Sequence, residues 1–186
     1  MTAKACRLVV LDRDGVINRE SPDFIRSPAE WIPLPGAMDA IARLTRSGFA
    51  VVVASNQSGV GRGLFTAETL VAIHRRMTGC IEAAGGRLAG IFICPHAPDA
   101  DCDCRKPRPG LMRQIEAAFH CPLAGHPVIG DSERDLLAAL AVGARAILVR
   151  TGNGMETEAR LLARGAKLEV YDDLAAAAGV LCRELP

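Results

Sequence analysis

Aromatic residues are scarce in this chain. One tryptophan, one tyrosine and five phenylalanines make up 4% of its 186 positions, too few for the stacked platforms on which single-stranded nucleic acids lie. Charge of one sign is missing as well: 22 lysines and arginines face 21 acidic residues, for a net charge of +1. A near-neutral chain has no broad basic field, which argues against a nucleic-acid partner. No apolar run approaches the ~18–20 residues that a bilayer span requires, and the opening MTAKACRLVV has no signal-peptide core. These absences lead us to expect a cytoplasmic chain with no membrane partner. No repeat, low-complexity tract or linker divides it, and 49% hydrophobic residues suffice for the core of one domain over residues 1–186. With no apolar patch visible in the pattern, a monomer is expected.

What the chain does have is alternation. Short apolar runs at 8–12, 50–55, 90–94, 127–131 and 146–149 each stop near a polar residue or glycine, as strands buried on both faces do. Helical patterns fall between them. One covers 36–47 and stops at Gly48. The next is capped by Thr66 and carries Leu70, Ile73, Met77, Ile81 and Ala84 at three-to-four spacing. Pro109 opens a third, with Leu111, Ile115 and Phe119 on one side; others cover 133–142, closed by Gly143, and 173–182. Repeated β–α units predict an α/β fold, a single doubly wound parallel sheet of the Rossmann-like kind. Residues 16–35 and 95–108 are too long for plain connections, and such stretches usually carry function.

The run RLVVLDRDGVIN ends a buried strand in two carboxylates, Asp12 and Asp14. Like charges this close call for a cation, a proton or plain solvent. Open α/β sheets bind ligands beyond the carboxyl ends of their strands, where the strand order reverses. Ser55 and Asn56 end the second strand and Asp131 ends the fourth. With strands one and four adjacent, Asp12, Asp14 and Asp131 converge, and three carboxylates favour a hard dication, Mg²⁺ first. A solvated turn is the competing reading of DRDG alone; the second strand-end aspartate and the Ser55–Asn56 pair weigh against it. The lysine of CRKPRPG completes what a phosphoryl group needs: positive charge, positioned donors and a carboxylate able to attack phosphorus.

Taken together, DRDG, SNQSG, RKP and GDSERD, in that order over residues 8 to 150, resemble the four motifs of the haloacid dehalogenase superfamily of phosphatases. The resemblance implies that Asp12 is the nucleophile, forming an aspartyl-phosphate, and that Asp14 is the general acid and base. It implies that Ser55 and Asn56 hold the phosphoryl oxygens and that Lys106 neutralises them. Mg²⁺ would sit on Asp12, the main-chain carbonyl of Asp14, and Asp131, with Asp135 in support. An aspartate two places after the nucleophile favours hydrolysis, because a proton must reach the departing alkoxide. The gaps between motifs are too short for a large cap, so the site should be open, roofed by 16–35 and the cysteine loop.

Within the superfamily, NQSGVGRG, CRKPRPGLM and VRTGNG resemble the branch that removes one phosphate from a small-molecule sugar bisphosphate. A branch acting on an amino-alcohol phosphate is the alternative, and the short cysteine loop is more like that one. The resemblance implies substrate contacts from Glu20, Ser21, Pro22, Asp23, Gln57, Ser58 and Arg105. A second phosphate would want cations at the rim, and Arg105, Arg62 and Arg13 are the candidates, Arg105 best placed beside Lys106.

CPHAPDADCDCRKP holds Cys94, His96, Cys102 and Cys104. Three thiolates and one imidazole form a common structural Zn²⁺ set that leaves no position for water. Free thiols or a redox pair are the alternatives. A zinc loop over 94–104 would fold a segment too polar to pack by itself, and its last ligand leads directly to Arg105 and Lys106. A zinc-loop module without catalysis is a different class of reading, and the filled motif positions oppose it. Cys6, Cys80, Cys121 and Cys182 read as scattered core fillers or surface thiols. His74, His120 and His126 are assigned no role.

Overall fold

Leu8–Leu11 forms β1, and every one of its residues is buried. β2 (Ala50–Asn56) lies parallel to it on one side and β4 (Pro127–Gly130) on the other. β3 (Leu88–Cys94) extends the sheet beyond β2, and β5 (Arg145–Val149) and β6 (Glu169–Tyr171) extend it beyond β4. The order is β3-β2-β1-β4-β5-β6, all parallel, so the winding reverses between β1 and β4. The computed structural model describes residues 6–184; the first five and last two positions of the expected domain lie outside the described residues.

Side chains alternate across the sheet, as a strand's two-residue period requires. Val9, Leu11, Val51 and Val53 face one layer, where Ile41 and Leu44 of α1 (Ala37–Arg46), Ile73, Met77 and Ile81 of α3 (Ala67–Ala83), and Ala177 and Ala178 of α7 (Leu174–Arg183) cover them. Leu8, Val10, Val52 and Ala54 face the other. They meet Leu111, Met112 and Ile115 of α4 (Gly110–Phe119) and Ala138 and Ala139 of α5 (Glu133–Leu140). The helices begin at cap residues: the Thr66 hydroxyl accepts from Thr69 N and the Asp173 carboxylate from Ala176 N, while Ser132 and Asp135 form a reciprocal capping box on α5. Pro109 is the cap of α4 rather than its first residue.

Three elements were not expected. α2 (Ser58–Gly61) is one turn long, below what periodicity can reveal. α6 (Gly154–Leu162) buries only Gly154, Thr157 and Leu161, so it has no broad apolar stripe. β6 is a half-buried edge strand of three residues with no apolar run.

The long 16–35 segment folds down by a few specific bonds. Gly15 N donates to Asn18 O at 2.8 Å and Leu34 N to Ile17 O at 3.0 Å, with a 3₁₀ turn at Pro28–Glu30 between. Trp31 is fully buried, and its indole Nε1 donates to Asn18 Oδ1 at 3.0 Å. Two of the cysteines read as fillers are joined instead: Cys6 and Cys121 form a disulfide that ties the start of β1 to the turn after α4. Their 115-residue separation left no local sign of it. Cys80 and Cys182 pack against the core, half-buried.

Trp31→Phe removes the N–H and part of the buried ring volume, leaving an amide oxygen without its donor beside a small void. We expect a loss of about 1–3 kcal/mol in unfolding free energy, read from urea denaturation; an unchanged midpoint would show that the bond contributes nothing.

Candidate active site

Asp12 follows β1 and Asp131 follows β4. Because those strands are neighbours, carboxylate oxygens of Asp12, Asp131 and Asp135 lie within 4.8 Å of one another. Lys106 arrives from the far end of the cysteine loop and is buried among them. Its Nζ is 3.0 Å from Asp12 Oδ1 and 2.5 Å from Asp135 Oδ1, and it donates to Ala54 O at 2.8 Å. Burial opposes the ammonium charge, but Asp12 and Asp135 outweigh it and hold the Lys106 pKa above its usual value. The acids move the other way. Burial pushes Asp12 up to about 7: Lys106 pulls it down, while Asp135, Asp131 and Asp14 push it further up. Burial lifts Asp131 to about 6 against hydrogen bonds from Asn153.

Asp131 sits in a cradle. Gly15 and Gly152 both adopt left-handed φ, +78° and +58°, and a Cβ at either would strike Asp131 Oδ2. Asn153 donates to that same oxygen from N at 2.8 Å and from Nδ2 at 3.0 Å. Oδ1 has no hydrogen-bond partner among the described residues. Several carboxylates lifted by burial and mutual repulsion, one with an unused oxygen and no room for a side chain beside it, fit a hard divalent cation.

Asp14 lies in a different setting. Arg13 Nη2 meets both its oxygens at 2.9 Å, Asn18 Nδ2 donates to Oδ1 at 2.8 Å and Gln57 Nε2 to Oδ2 at 2.9 Å. Arg13 is therefore not the rim cation expected from the sequence: it is 1% exposed, closed on Asp14, with His74 Nε2 3.4 Å from its Nη1. Burial and the Arg13 charge lower His74 to about 4, so a histidine assigned no role is a neutral neighbour of this pair. Gln57 also donates to Ser55 Oγ at 2.8 Å, so it braces two site residues while lining the cavity. The Asn56 amide is likewise engaged. Its Nδ2 donates to Lys106 O and its Oδ1 accepts from Lys106 N, both at 3.0 Å, so its side chain positions Lys106 while Asn56 lines the cavity.

These groups floor a cavity of about 390 Å³. Glu20, Ser21 and Pro22 line it from the 16–35 segment, Ser58 and Arg62 from the turn after β2, and Arg105 from the end of the cysteine loop. Asp23 lines an adjoining groove with Arg19, Arg26 and Glu30 that shares Glu20, Ser21, Phe24 and Ile25 with the cavity, and its carbonyl accepts from Arg26. Burial, with Asp14 and Asp12 nearby, raises Glu20 to about 7. The 150–153 turn is a supporting element whose role the sequence did not reveal: Thr151 Oγ1 donates to Gly15 O at 2.6 Å and Asn153 holds Asp131. Its only outward sign was the polar tail VRTGNG after a strand.

The four ligand atoms of Cys94, His96, Cys102 and Cys104 also lie within 4.8 Å of one another. Cys94 Sγ is 3.7 Å from Cys102 Sγ and 3.6 Å from His96 Nδ1, which is 3.2 Å from Cys104 Sγ. A tetrahedron with the usual Zn–S and Zn–N bonds has edges of about 3.4–3.8 Å, so the spacing suits that ion. Burial and the adjoining thiols push Cys104 up to about 12, a crowding that a bound dication reverses.

Comparison with known proteins gives consistent relatives. The pattern of the polynucleotide kinase 3 phosphatase family matches residues 8–129, and that of the HAD-hydrolase-like family matches residues 103–177. A D-glycero-beta-D-manno-heptose-1,7-bisphosphate 7-phosphatase of Bordetella bronchiseptica is 50% identical over 96% of this chain and 99% of its own. One from Pseudomonas putida is 47% identical over 92% and 97%. The crystal structure of the B. bronchiseptica D,D-heptose 1,7-bisphosphate phosphatase with magnesium and phosphate superimposes with a TM-score of 0.91, at 49% identity over 96% and 99% of the two chains.

In the cation-free protein Asp12 and Asp131 titrate at about 7 and about 6, above their ordinary 3.8. The folded state therefore holds protons that the unfolded chain has already released, and stability should fall as pH rises through that interval. A divalent cation removes the repulsion. We expect Mg²⁺ to raise the melting midpoint more at about pH 8 than at about pH 5; an equal or reversed increment would dissociate these acids from the ion.

Proposed function

The chain belongs to the haloacid dehalogenase-like phosphatases, and from that membership we propose that it hydrolyses the C7 phosphate of D-glycero-β-D-manno-heptose 1,7-bisphosphate by way of an aspartyl-phosphate. The observation that carries this reading is the junction of Asp12, Asp131 and Lys106 at the floor of a cavity sized for one sugar unit. Relatives of the same length and close identity carry that activity in their names.

In the proposed reaction the Asp12 carboxylate adds to phosphorus as the bond to the sugar oxygen breaks. Lys106, pinned by Ala54, Asp135 and Asn56, holds positive charge against the phosphoryl oxygens. Ser55, braced by Gln57, offers its hydroxyl to them. Asp14 gives its proton to the departing alkoxide and later takes one from the water that attacks phosphorus and frees Asp12. Arg13, Asn18 and Gln57 keep its carboxylate in one place for both transfers. Mg²⁺, held by Asp12, Asp131 and the main-chain carbonyl of Asp14, would supply the charge that lets a carboxylate approach a phosphate dianion. Zn²⁺ on Cys94, His96, Cys102 and Cys104 would be structural, fixing the loop that delivers Arg105 and Lys106.

We read the protein as a single-domain monomer acting on a small molecule in the cytoplasm; no helix among the described residues is long and apolar enough to cross a membrane. A histidinol-phosphate phosphatase is the second reading, favoured by the short cysteine loop. A phosphatase of polynucleotide ends is opposed by the near-neutral charge.

With Mg²⁺ present, phosphate release should be fastest from the heptose bisphosphate, slower from histidinol phosphate, and slowest from a 3′-phosphorylated oligonucleotide. Release from none of them would point to the non-catalytic module. Asp12→Asn should lower turnover by at least about 10³-fold; an Asn variant as active as the parent removes the aspartyl-phosphate.

The zinc role makes a separate demand. A zinc-free sample, or Cys102→Ala, should lose activity even at saturating Mg²⁺, and undiminished turnover by a verified zinc-free sample rules out support of Lys106 by the loop.

A further inference from the structure

Four arginines border the pocket, and they differ in what they already hold. Arg13 is closed on Asp14. Arg62 lies over the Phe24 ring, 5.8 Å from its centroid. Arg105 reaches the His96 carbonyl at 3.5 Å. Arg134, which sequence reasoning passed over, is exposed in the first turn of α5 and has no hydrogen-bond or ion-pair partner among the described residues. On its outer side it borders a groove whose other arginines, Arg160 and Arg164, both pair with Glu133.

No hydrogen bond or ion pair among the described residues explains the position of Arg134, whose charge is near enough to act on Glu20 in the same pocket. A cation near a helix N-terminus opposes the helix dipole, and the first turn of α5 otherwise holds the acids that suit it, Glu133 and Asp135. No carboxylate bonds to it, and it contributes nothing to the core. It lies three residues beyond Asp131 and borders the same cavity as Arg105 and Glu20. The cavity is thus divided by charge. Asp12, Asp131 and Asp135 crowd around Lys106 on the floor, while the wall carries exposed arginines. A substrate with one phosphoryl group on the floor and a second anion at its other end matches that division.

We infer that Arg134 is a specificity-determining residue that binds the second, non-reacting phosphate of the substrate. This rests on the bisphosphate reading above and deepens it. The guanidinium can donate charge-assisted hydrogen bonds to phosphate oxygens without first breaking a bond to any described residue. Because the contact is remote from phosphorus under attack, it acts on binding more than on the chemical step.

The test compares the heptose 1,7-bisphosphate with a heptose 7-phosphate that lacks the C1 phosphate, in wild type, Arg134→Ala, Arg134→Lys and Arg160→Ala. Arg134→Ala should lower the bisphosphate-to-monophosphate ratio of kcat/KM by about tenfold, chiefly through KM for the bisphosphate. Arg134→Lys should restore part of it. Arg160→Ala removes the same unit of charge from a residue held by Glu133 and should leave the ratio in place. A ratio unmoved by Arg134→Ala, or moved as far by Arg160→Ala, overturns the inference while the bisphosphatase reading stands. A wild type that hydrolyses neither sugar phosphate removes that reading, and this inference with it.

Discussion

The structure depends on one buried ammonium among carboxylates. Lys106 is 3% exposed and bonds Asp12, Asp135 and the Ala54 carbonyl at once. Burial, with Asp135, Asp131 and Asp14 repelling it, keeps Asp12 lifted to about 7 although Lys106 pulls it down. The residual negative charge is what a dication would offset, and only then could a phosphate dianion approach. The rest of the fold can be understood as the means of holding this junction in place. The sheet order places Asp12 beside Asp131, the capping box fixes Asp135, and the cysteine loop delivers the lysine.

A second set of bonds holds Asp14 apart from that junction. Trp31 donates to Asn18 Oδ1, which turns the Asn18 amide nitrogen toward Asp14. Arg13 and Gln57 take the remaining positions on the carboxylate. The two aspartates of DRDG therefore have opposite surroundings, one facing acids and a lysine, the other facing only donors. That separation fits the unlike tasks proposed for the two carboxylates. The single tryptophan of the chain matters here through its N–H as well as its volume.

Much of the site was legible because its chemistry is written in short words at strand ends. DRDG, SNQSG and GDSERD each lie within a few residues, and a parallel sheet must bring such ends to one edge. The cysteine–histidine cluster was legible for the same reason, with four potential ligand residues in one short segment. What failed to show in the sequence was long-range or unpatterned. Cys6 finds Cys121 across 115 positions, and His74 meets Arg13 across 61. β6 and α6 lie at the margin of the sheet, where little apolar area is buried and no period is imposed.

The sequence alone determined which chemical groups are available and which elements carry them, because strand and helix periods and motif spacings are local. Only the tertiary structure decided how those groups are divided. Arg13 looked like a free cation and is sealed on Asp14; the Asn56 side chain clamps Lys106 at the edge of the cavity; Asp23 lies in a groove adjoining that cavity; Arg134 forms no hydrogen bond or ion pair among the described residues and borders the pocket. Charge and hydrogen-bonding capacity are properties of a residue, but whether they are already satisfied depends on neighbours that only folding supplies.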